Sequence, residues 1–195
     1  MPDTRDATTK ILGLCGSLRA QSYNLAALKT AGELMPEGMT LEIGSIRELP
    51  LYDADLQAKG LPEPVTRLSD QIRAADAVLI ASPEYNFSVP GVLKNAIDWV
   101  SRVKDQPFND KAVAIMGASM GPLGTGRMQY DLRKILLFLN ANALVKPEVF
   151  IGSAQTKFDE QGRLTDESTR KFIADQMQAL RRWAQRINGS RQAVG

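Results

Sequence analysis

The sequence predicts an α/β protein: a five-stranded parallel sheet in a three-layer α/β/α sandwich. Two observations carry this prediction. Short apolar runs recur along the chain, and between them lie segments whose apolar residues repeat at helical spacing. A strict alternation of this kind makes right-handed crossovers that put helices on both faces of one sheet. At 195 residues the chain has room for one such domain, expected over residues 1–195 with its core at about 10–188.

The elements follow in order. Lys10–Gly16 is an apolar run closed by Gly-Ser, as in a strand buried on both faces. In Asn24–Met35, Leu25, Ala26, Leu28, Ala31, Leu34 and Met35 give a helical stripe, with Pro36 just beyond. Thr40–Ile43 is the second strand. A long connection follows, carrying Leu49-Pro50-Leu51-Tyr52-Asp53 and a Gly60-Leu61-Pro62 break, and connections of this length often form a lip over a site. Val65–Ala74 reads as helix, Ala77–Ala81 as strand, Gly91–Ser101 as helix, Ala112–Met116 as strand and Thr125–Leu139 as helix. Val145–Ile151 is the expected fifth strand, Asp166–Ile187 a closing helix, and Asn188–Gly195 a frayed tail.

Composition excludes several kinds of function. Hydrophobic residues make up 44% and charged residues 24%, an ordinary globular balance. The net charge is +2, with Lys and Arg interleaved among Asp and Glu, so no basic tract points to nucleic acid. The single cysteine, Cys15, permits no disulfide within the chain and no CxxC pair, and the absence of His removes the commonest metal ligand and general base. No metal site is expected. Met1–Lys10 is polar with no apolar leader, and no run approaches membrane-spanning length, so the expected location is the cytoplasm.

Ligands of open parallel sheets bind beyond the carboxyl ends of the strands, where strand order reverses. The loops after the first, third and fourth strands are therefore expected to converge. The first, Gly16-Ser17-Leu18-Arg19-Ala20-Gln21-Ser22-Tyr23-Asn24, leads into a helix whose N-terminal N–H groups favour an anion, with Arg19 as a planar cation suited to phosphate. The plainer alternative is that Ser22 or Asn24 only caps the helix and Arg19 is a solvated charge. Neither a G-x-G-x-x-G nor a P-loop pattern occurs, which favours a monophosphate.

The second loop, Ser82-Pro83-Glu84-Tyr85-Asn86-Phe87-Ser88-Val89-Pro90-Gly91, sets aromatic and polar residues between two prolines. The amides of Glu84, Tyr85 and Asn86 are expected to meet the edge of a planar ring, although a rigid strand-to-helix turn explains each proline equally well. The third, Gly117–Arg127, is rich in glycine and lets backbone approach a ligand closely, or simply reverses the chain.

With these residues assembled, the chain resembles the NADPH-dependent FMN reductase family, including its quinone, azo-compound and chromate reductase members. The resemblance lies in Gly16-Ser17-Leu18-Arg19 with Ser22 and Asn24, and in Pro83-Glu84-Tyr85-Asn86-x-Ser88-x-Pro90-Gly91-x-Leu93-Lys94-Asn95-Ala96-Ile97-Asp98-Trp99. It runs from about Ile11 to Ile187 and implies a flavodoxin-like fold. It also implies that Ser17, Arg19, Ser22 and Asn24 bind the FMN phosphate, that Pro83, Glu84, Tyr85 and Asn86 frame the isoalloxazine, and that Ser119 and Gly121 lie near the ring or ribityl chain.

The implied activity is ping-pong hydride transfer from NADPH or NADH through FMN to a quinone, azo compound, chromate or free flavin, with no catalytic side chain. Two other classes compete: a flavodoxin-type electron carrier, usually acidic, and a flavin-free regulatory domain, which needs acids at strand ends where this chain has Cys15-Gly16-Ser17. The helix from Thr125 carries apolar residues on more sides than one sheet covers, and Arg127, Tyr130 and Glu148 resemble polar positions between subunits of tetrameric relatives. A homodimer or homotetramer is therefore expected.

Overall fold

A computed structural model describes residues 8–192. The first seven residues of the polar segment Met1–Lys10 and the last three of the tail lie outside the described residues. The strands are β1 (Thr9–Cys15), β2 (Met39–Gly44), β3 (Ala77–Ala81), β4 (Ala112–Ala118), β5 (Asn142–Ala143) and β6 (Val149–Ile151). The helices are α1 (Tyr23–Glu33), α2 (Ala54–Ala58), α3 (Glu63–Ala74), α4 (Gly91–Val100), α5 (Gly126–Phe138) and α6 (Glu167–Gln192), with a 3₁₀ turn at Ala154–Thr156.

The sheet is parallel throughout, in the order β2-β1-β3-β4-β5, with β6 also paired to β4. β3 and β4 are buried along their whole length, which is why their sequences are unbroken apolar runs. The two faces divide by alternation. Ile11, Leu79, Ala114 and Met116 face α1 and α6, while Leu12, Leu14, Val78, Ile80, Val113 and Ile115 face α3, α4 and α5. Burying each such Leu or Ile contributes about 1.5–3 kcal/mol.

Register decides where the loops emerge. Cys15 pairs with Ala81 and Ala81 with Met116, so β1, β3 and the paired part of β4 reach the carboxyl edge in one row. Strand order reverses on either side of β1, because β2 pairs with one of its edges and β3 with the other. The loops after β1 and β3 thus begin side by side.

Three expectations are corrected. The fifth strand is not the continuous Val145–Ile151: β5 pairs with Ala112 and Val113, the chain leaves the sheet, and β6 returns to Met116–Ala118. Pro147 has no N–H to give a ladder, and side chains fill the gap. Gln176 Nε2 donates to the Ile115 and Pro147 carbonyls, both at 3.0 Å, and Arg133 donates to the Leu144 carbonyl at 2.9 Å. The connection after β2 contains helix α2, capped by Asp53, whose carboxylate accepts from the Asp55 N–H at 2.8 Å. The tail expected from Asn188 is helical through Gln192, as part of α6.

The same connection is fastened to α4. The Pro50 carbonyl accepts from Asn95 Nδ2 and Trp99 Nε1, and the Tyr52 N–H donates to Asn95 Oδ1, each at 2.8 Å. Tyr52 also meets the buried Trp99 edge-on at 5.0 Å.

Two glycines allow the strand ends to meet. A Cβ on Gly16 falls 2.2 Å from Ser82 Oγ, and one on Gly117 falls 2.0 Å from Thr125 Oγ1 and 2.4 Å from the Ser82 carbonyl oxygen. The Gly117→Ala variant is expected to lose about 1–3 kcal/mol of stability. This is read as a lower urea midpoint with unchanged slope.

Candidate active site at the carboxyl edge of the sheet

The first loop is built around the start of α1. The Gly16 N–H donates to the Ala81 carbonyl at 2.8 Å, holding the loop against β3. The Ser22 N–H donates to the Arg19 carbonyl at 3.1 Å, and Ser22 Oγ caps α1 by accepting from the Asn24 N–H at 3.2 Å. Ser17 Oγ accepts from the Arg19 N–H at 3.3 Å. Among the described residues, the N–H groups of Leu18, Ala20 and Gln21 meet no acceptor. Arg47 braces the loop from outside by donating to the Leu18 carbonyl. The Arg19 guanidinium is exposed, 5.5 Å from the centre of the Tyr23 ring. A turn of free N–H groups, a helix N-terminus and an exposed cation together suit an oxyanion.

Asn24 does something the sequence did not reveal. It is 2% exposed, and its side chain is committed in both directions to one residue: Nδ2 donates to the Ala118 carbonyl at 3.0 Å and Oδ1 accepts from the Ala118 N–H at 2.8 Å. This amide clamps the start of α1 to the end of β4, fixing the first loop against the third.

The second loop is a tight reversal. The Tyr85 N–H donates to the Ser88 carbonyl at 3.1 Å and the Ser88 N–H returns to the Tyr85 carbonyl at 3.0 Å. Between them Asn86 (φ 50°) and Phe87 (φ 68°) are both left-handed, the pattern of a type I′ turn. Asn tolerates this conformation, but for Phe it costs about 1–2 kcal/mol. Of the three amides expected to face a ring edge, that of Tyr85 is engaged in the turn, while those of Glu84 and Asn86 meet no acceptor among the described residues; neither does that of Phe87.

Glu84 reaches α5, 43 residues away in sequence: its Oε1 pairs with Arg127 Nη1 at 2.9 Å. Its Oε2 accepts from the Met128 N–H at 3.1 Å, capping the α5 N-terminus. The turn is tied to α5 a second time, where Ser88 Oγ donates to Asp131 at 2.8 Å. The Asp131 carboxyl is held below its usual range by its hydrogen bond from Lys134 and then by that from Ser88. Pro83 is buried behind the turn, and Tyr85 is exposed beside it.

The third loop leans on β6 and the 3₁₀ turn. The Ser119 N–H donates to the Ile151 carbonyl at 3.0 Å, the Ser119 carbonyl accepts from the Ala154 N–H at 3.0 Å, and the Gly121 carbonyl accepts from the Ser153 N–H at 3.1 Å. Ser119 Oγ accepts from the Gly121 N–H at 3.1 Å. The other named subunit-contact residues have partners within the chain: Tyr130 donates to Glu148 at 2.9 Å, and Glu148 pairs with Lys146.

The structure thus brings all three loops to one edge. Sequence reading missed Glu84 as a cap, the Glu84–Arg127 pair, Arg47, and the anchoring roles of Asn95 and Trp99. No periodic signal marks contacts between residues so far apart in the chain.

Unbonded N–H groups beside a helix N-terminus at the switch point of a parallel sheet are the arrangement met in nucleotide-binding α/β proteins. The signature of the NADPH-dependent FMN reductases matches residues 9–156, and the chain belongs to that family. It is 55% identical over 180 residues to the NAD(P)H-dependent FMN reductase of Pseudomonas aeruginosa, covering 92% of this chain and 97% of that one. It is 45% identical over 181 residues to the quinone reductase of Escherichia coli K12, covering 91% and 96%. Among solved structures, the flavoenzyme NAD(P)H:(acceptor) oxidoreductase FerB of Paracoccus denitrificans superposes with a TM-score of 0.83 at 35% identity, over 91% of this chain and 98% of that one.

Replacing Asn24 by Ala leaves two buried backbone groups of Ala118 without partners. A loss of about 2–4 kcal/mol is expected on chemical denaturation. Cys15, at the end of β1, is buried, and burial pushes its thiol up, more than the Ser17 N–H and Ser22 hydroxyl pull it down. The thiol therefore gives up its proton at higher pH than an ordinary thiol does. At pH 8, iodoacetamide is expected to modify native protein about 100-fold more slowly than the urea-unfolded chain, as the mass-labelling rate would show.

Proposed function

We propose that the chain is an FMN-dependent NAD(P)H oxidoreductase that reduces quinones or other small acceptors, working as one domain in the cytoplasm. The observation that carries this reading is the convergence of the unbonded N–H groups of Leu18, Ala20 and Gln21 with those of Asn86 and Phe87 at one sheet edge. The similarity to FMN and quinone reductases over nine-tenths of the chain supports it.

The residues present fit FMN. The first loop offers donors and a cation to a phosphate: the N–H groups above, Ser17, Ser22 and Arg19, with Asn24 fixing the loop through Ala118. Pro83, Glu84, Tyr85 and Asn86 frame the ring, with Glu84 holding the frame to α5 and Asn86 offering its N–H. Ser119 and Gly121 close the third side. Bound there, FMN supplies a two-electron centre that takes hydride from NADPH or NADH and passes it on.

The protein's part is to bind, orient and hold charge through prearranged amides, which needs no His and no metal. One such cleft serves donor and acceptor in turn, hence ping-pong kinetics. The outer face of α5 leaves Leu137 77% and Phe138 85% exposed beside Tyr130. A face of this kind fits a contact with a second copy, in a homodimer or homotetramer.

An absorbance spectrum of the protein with FMN, followed anaerobically, tests the activity. NADPH is expected to bleach the flavin band and benzoquinone to restore it. Bound FMN that NADPH cannot reduce would favour an electron carrier, and absence of FMN binding would remove both readings. Light scattering is expected to give a multiple of 21.4 kDa, and the monomer mass would refute the oligomer.

A further inference from the structure

We propose that Arg127 is a positioning residue, one that holds the Asn86–Phe87 turn left-handed and so keeps its two unbonded N–H groups facing the flavin edge. This rests on the FMN reading above. The Arg127 guanidinium carbon lies 3.9 Å from the centre of the Phe87 ring, within cation–π stacking distance. One guanidinium nitrogen is meanwhile bound to Glu84 at 2.9 Å. Glu84 is in turn fixed by the Met128 N–H of α5, and its side chain is only 9% exposed. A continuous chain of contacts runs from the α5 N-terminus through Glu84 and Arg127 to the Phe87 ring.

Phe87 needs such a hold. It is a bulky residue at φ 68°, it is 67% exposed, and it joins neither apolar cluster of the core. Burial therefore does not offset its backbone strain, whereas the stacked cation offsets part of it. The planar guanidinium can bind a carboxylate and stack at once; a lysine ammonium has no flat face for the second contact. The other anchor of the turn, Ser88 on Asp131, holds its end and leaves the conformation of Phe87 free.

The test uses the full chain, as wild type, Arg127→Ala, Arg127→Lys, Phe87→Gly and the Phe87→Gly/Arg127→Ala double variant. Glycine takes positive φ without help, so it separates positioning from direct contact. The first readout is amide exchange of the Ser88 N–H, which is bonded across the turn and reports it whether or not flavin binds. Arg127→Ala is expected to speed this exchange about two- to fivefold in the wild-type background and to have little effect in the Phe87→Gly background.

The second readout is the FMN dissociation constant of flavin-stripped protein, measured by quenching of flavin fluorescence. It is expected to rise about two- to fivefold on Arg127→Ala and to show the same loss of effect in the Phe87→Gly background. Arg127→Lys keeps a cation beside Glu84, guards against loss of fold, and is expected to resemble Arg127→Ala in both readouts. Unchanged exchange in Arg127→Ala overturns the proposal. So does full rescue by Lys, or an FMN effect that persists undiminished when Phe87 is replaced by glycine, which would mark a direct charge contact. If wild type binds no FMN, the functional reading fails while the exchange data still decide the role of Arg127.

Discussion

At the carboxyl edge of the sheet, Ser82 lies between two neighbours that carry no side chain. Any Cβ on Gly16 or Gly117 overlaps it or the adjoining Thr125. The strands are 4.7–4.9 Å apart everywhere in such a sheet as a rule, but loops leaving them normally splay to make room for side chains. Here the first two begin in contact, because Gly16 opens the first loop without a side chain and Gly117, within β4, leaves room on the other side of Ser82. The aligned register of Cys15, Ala81 and Met116 makes that contact possible, and the free N–H groups of the first and second loops depend on it for their proximity.

On this frame two polar side chains act as cross-braces. Asn24 joins α1 to β4, and Glu84 joins the second loop to α5. Each satisfies main-chain groups that the strand end or helix end leaves unpaired. A hydrogen bond contributes little net, about 0.5–1.5 kcal/mol, but a buried group left without one costs more. The braces therefore act mainly as constraints, since any loop arrangement that breaks them strands a buried amide or carbonyl. The strained Phe87 is tolerated within the same rigid surroundings, as local strain at functional sites generally is.

The long connection after β2 follows the same logic. Asn95 and Trp99, which stand in a segment whose pattern resembles a cofactor-binding family, spend their polar atoms on Pro50 and Tyr52. In the structure they anchor the connection after β2 to α4. Gln176 does comparable work across the gap in the fifth strand, standing in for a ladder that Pro147 does not extend.

The sequence by itself determined the alternation of strands and helices, the parallel sheet and the three loops that meet at its carboxyl edge. Each of these is written in local periodicity: continuous apolar runs for β3 and β4, a spaced stripe for α1, glycine and proline at the turns. Where local pattern was weak, the reading failed. Val145–Ile151 looked continuous because its apolar residues do not show which carbonyls a glutamine will bridge. The short α2 was hidden in a connection, and the Asn188 segment looked frayed although it continues α6. Tertiary structure alone decided which polar groups brace and which remain free for a ligand. Ser22 and Asn24 stand two residues apart, yet one caps its own helix and the other crosses to Ala118. That choice follows from where folding places β4, a partner 94 residues away that no local spacing can name.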